Sequence, residues 1–215
     1  RFNANEILVS LMLVYVAQLF VSWLVFGPWK DPDGFNFPQT RMFAEAATLP
    51  MVIEGTRLHF GFAIALAALV AGYAFMNRSH AGFRMRVAGE AADAARYAGF
   101  SAARMIWLGL LLGGAAAGLA GMGEVAGPMG QLTDKVASGY GFAAIIVAFV
   151  GRLNAFGILL ASLLMALLDI GGEQAQQYLN LPNSISMVFQ GMLLFFLLGA
   201  DVFIHYRLRL RRRGA

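Results

Sequence analysis

Gly82-Phe83-Arg84-Met85-Arg86-Val87-Ala88-Gly89-Glu90-Ala91-Ala92-Asp93-Ala94-Ala95-Arg96-Tyr97-Ala98-Gly99-Phe100 is a polar, basic island between two long apolar runs. It reads as a short helix with both ends marked. Glu90 and Asp93 fall in the expected first turn, where carboxylates meet the positive end of the helix dipole. Ala91, Ala92, Ala94, Ala95 and Ala98 are strong helix formers. Gly99 stands where a helix ends through a left-handed residue, and Ser101 can cap a new helix starting at Ala102. A helix this short is marginal alone in water, so it calls for a docking surface.

Working outward, the chain of 215 residues is 59% hydrophobic and only 13% charged. Soluble domains average about 25% charged residues, so the composition places the chain in a lipid bilayer. Cysteine is absent, which excludes disulfides and thiolate metal sites. His59, His80 and His205 are scattered without metal-ligand spacing. A nucleotide-binding loop needs a Gly-Lys pair, and the chain has none. No Ser-His-Asp set or paired carboxylates stand out, so the reading is of a non-catalytic chain that binds no metal and no cofactor. Nothing in the sequence calls for nucleic acid.

A spanning helix takes about 20 largely apolar residues. Runs at 7–26, 58–76, 105–122, 136–150, 156–170 and 184–205 give about six membrane segments in an all-α, polytopic transmembrane bundle. Asp31-Pro32-Asp33-Gly34 is a turn signal in the first connector. Trp23, Trp29, Phe35 and Phe37 suit a membrane interface. Gly109, Gly113, Gly114, Gly118 and Gly121 form small-xxx-small pairs, which predict a tightly packed third span. The segment 136–150 is short and interrupted by Gly139 and Gly141, so it reads either as a crossing or as a re-entrant arm. Residues 169–183, with Asp169, Glu173, Gln174, Gln176 and Gln177, read as a polar connector.

Lys and Arg concentrate on the cytoplasmic side of membrane proteins. Placing the C-terminal arginines inside puts Arg1, Arg78, Arg84, Arg86, Arg96, Arg104, Arg152, Arg207, Arg209, Arg211, Arg212 and Arg213 inside. Only Lys30, Arg41, Arg57 and Lys135 then lie outside. The assignment predicts an even number of crossings with both ends cytoplasmic. Loop 77–103 and a basic tail at 206–215 flank the spans of a single domain covering 1–215. The arginine tail reads as an anchor near anionic lipid.

Polar residues inside spans are functional candidates by default. Ser10, Tyr15, Gln18 and Ser22 fall within an arc of about 140° at roughly 100° per residue. They suit either a substrate path or hydrogen bonds between packed helices. Tyr140 and Phe142 flank Gly141 and form a second candidate, since glycine-interrupted segments place irregular backbone against cavities; a kinked helix is the alternative. Gln190 and Asn154 are weaker candidates.

Asp93-Ala94-Ala95-Arg96-Tyr97-Ala98-Gly99 resembles the EAA-xxx-G cytoplasmic loop of bacterial ABC importer permeases, with Asp in place of Glu. The wider run from Gly82 to Phe100 resembles the simple-sugar and nucleoside branch, as do three further blocks. These are Asn5-Glu6-Ile7-Leu8-Val9-Ser10-Leu11-Met12-Leu13, Gly139-Tyr140-Gly141-Phe142 with Ile145-Ile146-Val147-Ala148, and Gly151-Arg152-Leu153-Asn154. Ala91-Ala92 replaces the Asn-Pro that this branch often carries. The resemblance covers essentially the whole chain and joins the family pattern partway along, so N-terminal helices are expected to be missing.

The resemblance implies that Glu90, Asp93, Ala94, Ala95, Arg96, Tyr97 and Gly99 belong to a coupling helix seated in a groove of a separate ATPase subunit. It also implies a second permease subunit, homologous or identical, and an extracytoplasmic solute-binding protein. Asp169 and Glu173, read as lying in water at the outer surface, are a candidate place for such a protein to dock. ATP would be bound by the ATPase subunits. The implied location is the bacterial inner membrane, crossed several times, and the implied cargo is a nucleoside or simple sugar. The Asn-Glu block leans towards nucleosides. A secondary transporter or channel is the alternative from another class. Ion coupling calls for a mid-span acid, and the spans as drawn contain none. A scaffold or assembly factor would require no polar path.

Overall fold

A computed structural model of the chain describes residues 6–205, apart from 36, 54, 57, 135, 137, 138, 180, 181 and 183. The arginine tail 206–215, Arg1 and Asn5 lie outside the described residues, as do Arg57 and Lys135 of the charge count. The elements are α1 (Glu6–Phe26), α2 (Gly61–Arg78), α3 (His80–Glu90), α4 (Ala92–Tyr97), α5 (Ala102–Glu124), α6 (Tyr140–Val150), α7 (Ala155–Leu179) and α8 (Ser184–His205). The chain divides into two compact units, residues 1–138 and 139–215. Four helical stretches are long and apolar enough to cross a membrane: Leu8–Phe26, Gly61–Arg78, Ala102–Met129 and Ala155–Leu179. The architecture is therefore an all-α, polytopic membrane bundle, and α8 coincides with the predicted last apolar run.

In the first unit, α2 turns sharply into α3 at Ser79. The Ser79 hydroxyl donates to the Phe75 carbonyl (2.6 Å) and accepts from the Gly82 N–H (2.9 Å), closing one helix and capping the next. A β-carbon at Gly82 would lie 2.7 Å from the Met76 α-carbon, so only glycine permits this approach. Arg86 reaches back to Asn77 Oδ1 (2.9 Å) and the Met76 carbonyl (3.3 Å). The basic island is thus a folded pair of helices packed on α2 and α5.

The connector between α1 and α2 is ordered by two tight turns. Asp31 accepts from Gly34 N–H through its carbonyl (3.4 Å) and from Asp33 N–H through its carboxylate (3.2 Å), as the turn signal predicts. A 3₁₀ turn, Glu45–Ala47, follows. Beyond α5 the helix widens into a π-helical turn, Val125–Met129, which contains Pro128. The last carbonyls of a helix lack intrahelical donors, and proline cannot supply one. The connector supplies them from outside. Leu49 N–H donates to Ala126 (2.8 Å), Phe43 to Gly130 (2.8 Å) and Thr40 to Leu132 (3.0 Å). Thr40 Oγ1 in turn accepts from Leu132 N–H (3.0 Å). The connector is therefore a strap over the end of α5.

The second unit is built on an α6–α7 hairpin, with α8 packed on both helices. Ile146, Ala161 and Met165 form its buried core. A β-carbon at Gly151 would lie 2.5 Å from Ile158 N, so the 151–154 turn closes directly on the first turn of α7. At 1.5 Å per residue, α6 covers about 16 Å, half of a ~30 Å hydrocarbon core.

Three expectations change. Residues 169–179 are not a connector but continue α7 to its end at Leu179. Glu90 is not in the first turn of the short helix; it ends α3, and the chain breaks at Ala91 (φ −145°, ψ 76°) before α4 begins. The glycine stripe of α5 is not tightly packed within its unit. A β-carbon at Gly109 would lie 3.4 Å from the Met85 methyl, but one at Gly113, Gly114, Gly118 or Gly121 would meet no atom of that unit within 4 Å.

Candidate functional site

The island presents a six-residue helix whose two sides differ. Ala95 is buried at 2% exposure, whereas Tyr97 is 94% exposed. Asp93, Ala94 and Arg96 are exposed as well, and Asp93, Arg96 and Tyr97 line a concavity of about 600 Å³. A tyrosine so far in solvent contributes no packing to its own chain, while Ala95 anchors the helix from behind.

The helix ends as the sequence predicts. Gly99 is left-handed (φ +76°). Phe100 N–H donates to the Ala95 carbonyl (2.9 Å) and Gly99 N–H to the Arg96 carbonyl (3.1 Å). These are the two bonds of a Schellman cap, which pairs a half-buried residue after the glycine with one inside the helix. Here the pair is Phe100 and the buried Ala95. The Arg84 guanidinium lies over the Phe100 ring, 5.4 Å from its centroid, so α3 clasps the cap. Ser101 takes the N-cap position of α5 without a side-chain cap bond. Only Phe100 and Ser101 separate Gly99 from α5, so the short helix is joined almost rigidly to a helix about 35 Å long.

Of the proposed path residues, Tyr15 and Gln18 are exposed and Ser22 is half-buried, on one face of α1 with Ser10. Tyr140 opens α6 and Phe142 lies in its first turn, both exposed, after Gly139 in the left-handed conformation (φ +86°). The first group belongs to residues 1–138 and the second to 139–215. Asn154 caps the start of α7, its Oδ1 accepting from Phe156 N–H (3.2 Å). Gln190 on α8 donates to the Asp169 carboxylate on α7, tying the two helices together. This pairing was hidden by reading Asp169 into a connector. Also unforeseen is His59, whose Nδ1 accepts from Gly61 N–H (3.1 Å) and whose ring lies against Gly127 of the π-turn. That contact joins residues 68 apart and leaves no local signal. Among the described residues no group of three or more His, Cys, Asp or Glu gathers as for a metal.

A polytopic helical bundle with a short, capped helix held out on its basic face has the build of a transporter's membrane subunit. Residues 1–198 match the family of branched-chain amino acid transport system permease components, and the chain belongs to that family. It is 37% identical over its whole length to the glucose ABC transporter permease protein TsgB13 of Haloferax volcanii, covering 59% of that protein. It is 29% identical to the guanosine ABC transporter permease protein NupP of Bacillus subtilis, across all of this chain and 62% of the relative. With the nucleoside ABC transporter permease protein NupB of Lactococcus lactis subsp. cremoris the identity is 27%, over 91% of this chain and 56% of the relative. The chain thus spans about three-fifths of the length of these relatives. No solved structure matches it.

Proposed function

We propose that this chain is part of the permease subunit of an ABC importer, moving a nucleoside or simple sugar across the cytoplasmic membrane. Separate ATPase subunits supply the energy, and an external binding protein delivers the solute to a pore completed by a second permease copy or relative. The observation that carries the reading is the exposed face of α4. Asp93, Arg96 and Tyr97 project together from a helix fixed at both flanks to α3 and α5, the build needed to pass a partner's movement into a membrane helix. α4 is the coupling helix in this reading, and ATP is hydrolysed on the partner. The α3–α4 face is cytoplasmic.

The names of the relatives divide between glucose and nucleosides, and both solutes present sugar hydroxyls. Asp169, bonded within an apolar helix, is the observation that favours the second reading, an ion-coupled transporter. Uptake of labelled glucose and guanosine into proteoliposomes separates the two. Uptake that needs internal ATP and survives an ionophore supports the importer. Uptake that is abolished by the ionophore and indifferent to ATP overturns it.

A further inference from the structure

A cavity of about 520 Å³ lies where the start of α2 meets the end of α5, within the first unit. Its walls are apolar and mostly small: Ala65 and Ala120 open the space, and Phe62 and Leu119 border it. Two polar side chains enter the lining, His59 and Glu124. Both stand at the rim formed by the strap and the π-turn, the only π-helical segment among the described residues. Single π-turns inside helices occur often at functional sites.

His59 is held in one pose. Because Nδ1 accepts from the Gly61 N–H (3.1 Å), the neutral ring carries its proton on Nε2 and offers a donor. A β-carbon at Gly127 would lie 2.6–2.7 Å from Cε1, Nδ1 and Nε2, so the ring lies flat against the π-turn where only glycine leaves room. Glu124 offers a carboxylate, and Phe62 an aromatic ring. A donor and an acceptor at one end of an otherwise apolar recess, with an aromatic ring nearby, make the usual composition of a small-molecule site. Hydroxyl groups of a sugar or a ribose can both donate to a carboxylate and accept from an imidazole. The non-polar face of a sugar ring, or a base, can lie on Phe62.

We infer that this cavity is a solute subsite of the permease, in which His59 and Glu124 bind hydroxyl groups of the transported sugar or ribose. The assignment rests on the importer reading above and names the residues of this chain that select the solute. The cysteine-free chain allows a direct test in the full-length permease, assembled with its ATPase and binding protein and with any other cysteine removed. Ala120→Cys is labelled with a methanethiosulfonate reagent, with and without glucose or guanosine, alongside Phe35→Cys as an exposed control. Mass action predicts that solute at ten times its half-saturating concentration slows labelling of Ala120→Cys about tenfold and leaves Phe35→Cys unchanged. Transport without protection overturns the subsite while leaving the importer reading intact. A parent protein that takes up neither solute removes the reading on which the subsite rests.

Substitutions supply the second arm. Glu124→Gln and His59→Ala are expected to raise the KM for uptake about tenfold, the scale of one lost hydrogen bond. His59→Asn retains an oxygen able to accept from Gly61 N–H but has no Nε2. A KM raised as in His59→Ala supports recognition by the ring. A parental KM in His59→Asn shows that the imidazole serves only to hold the loop, and overturns its role as a ligand.

Discussion

A β-carbon at position 99 would have to be carried at φ +76°, where an L-residue costs about 1 kcal/mol. Gly99→Ala is therefore expected to lower stability by about 1 kcal/mol, measurable as a drop in the unfolding midpoint of the purified protein. Ala91 offers the opposite case. It sits at the N-cap of α4 with no side chain able to bond the exposed N–H groups, and Asn at this position contributes ~1 kcal/mol in typical helices. Ala91→Asn is expected to raise the midpoint by the corresponding amount. Tyr97 differs from both because it is 94% exposed. Tyr97→Ala is expected to leave the midpoint unchanged while ATP-driven uptake falls by roughly tenfold, the scale of a typical coupling energy between sites.

At the scale of elements, the strap and the π-turn depend on each other. Thr40 is buried at 7% exposure, and its hydroxyl accepts from Leu132 N–H. Thr40→Val keeps the shape but leaves that N–H unsatisfied, at a cost of about 1–3 kcal/mol. Protease cleavage within residues 27–60 is expected to quicken in this variant, with helix content by circular dichroism unchanged. The elements also show which features a sequence displays. The Schellman cap was legible because Gly99 is a local requirement of a left-handed turn. The break at Ala91 was not, because alanine is the best helix former and Ala92, Ala94 and Ala95 follow it. The extension of α7 was hidden differently. Glu173-Gln174-Ala175-Gln176-Gln177 is polar enough to resemble a connector, yet each of its residues favours helix. The glycine face of α5 announced close packing, yet a β-carbon at Gly113, Gly114, Gly118 or Gly121 would meet no atom of its own unit within 4 Å. The cavity beside His59 arises from a contact between residues 68 apart, which no local pattern encodes.

For the molecule as a whole, α5 joins the exposed face of α4 at one end to the strapped π-turn at the other. A push on α4 reaches α5 through Phe100 and Ser101 without a flexible linker. In the importer reading proposed above, this continuity lets α4 serve as a mechanical input rather than a solvated loop. Crosslinking tests that claim most directly, in membranes holding the permease with its ATPase subunits. Single cysteines are placed at Arg96 and Tyr97 on the exposed face and at Ala95 on the buried one. The predicted result is a crosslink from Arg96→Cys and Tyr97→Cys to an ATPase subunit, altered by ATP and absent from Ala95→Cys. No crosslink at either exposed position, with both proteins folded and present, would contradict the coupling role and the importer reading with it.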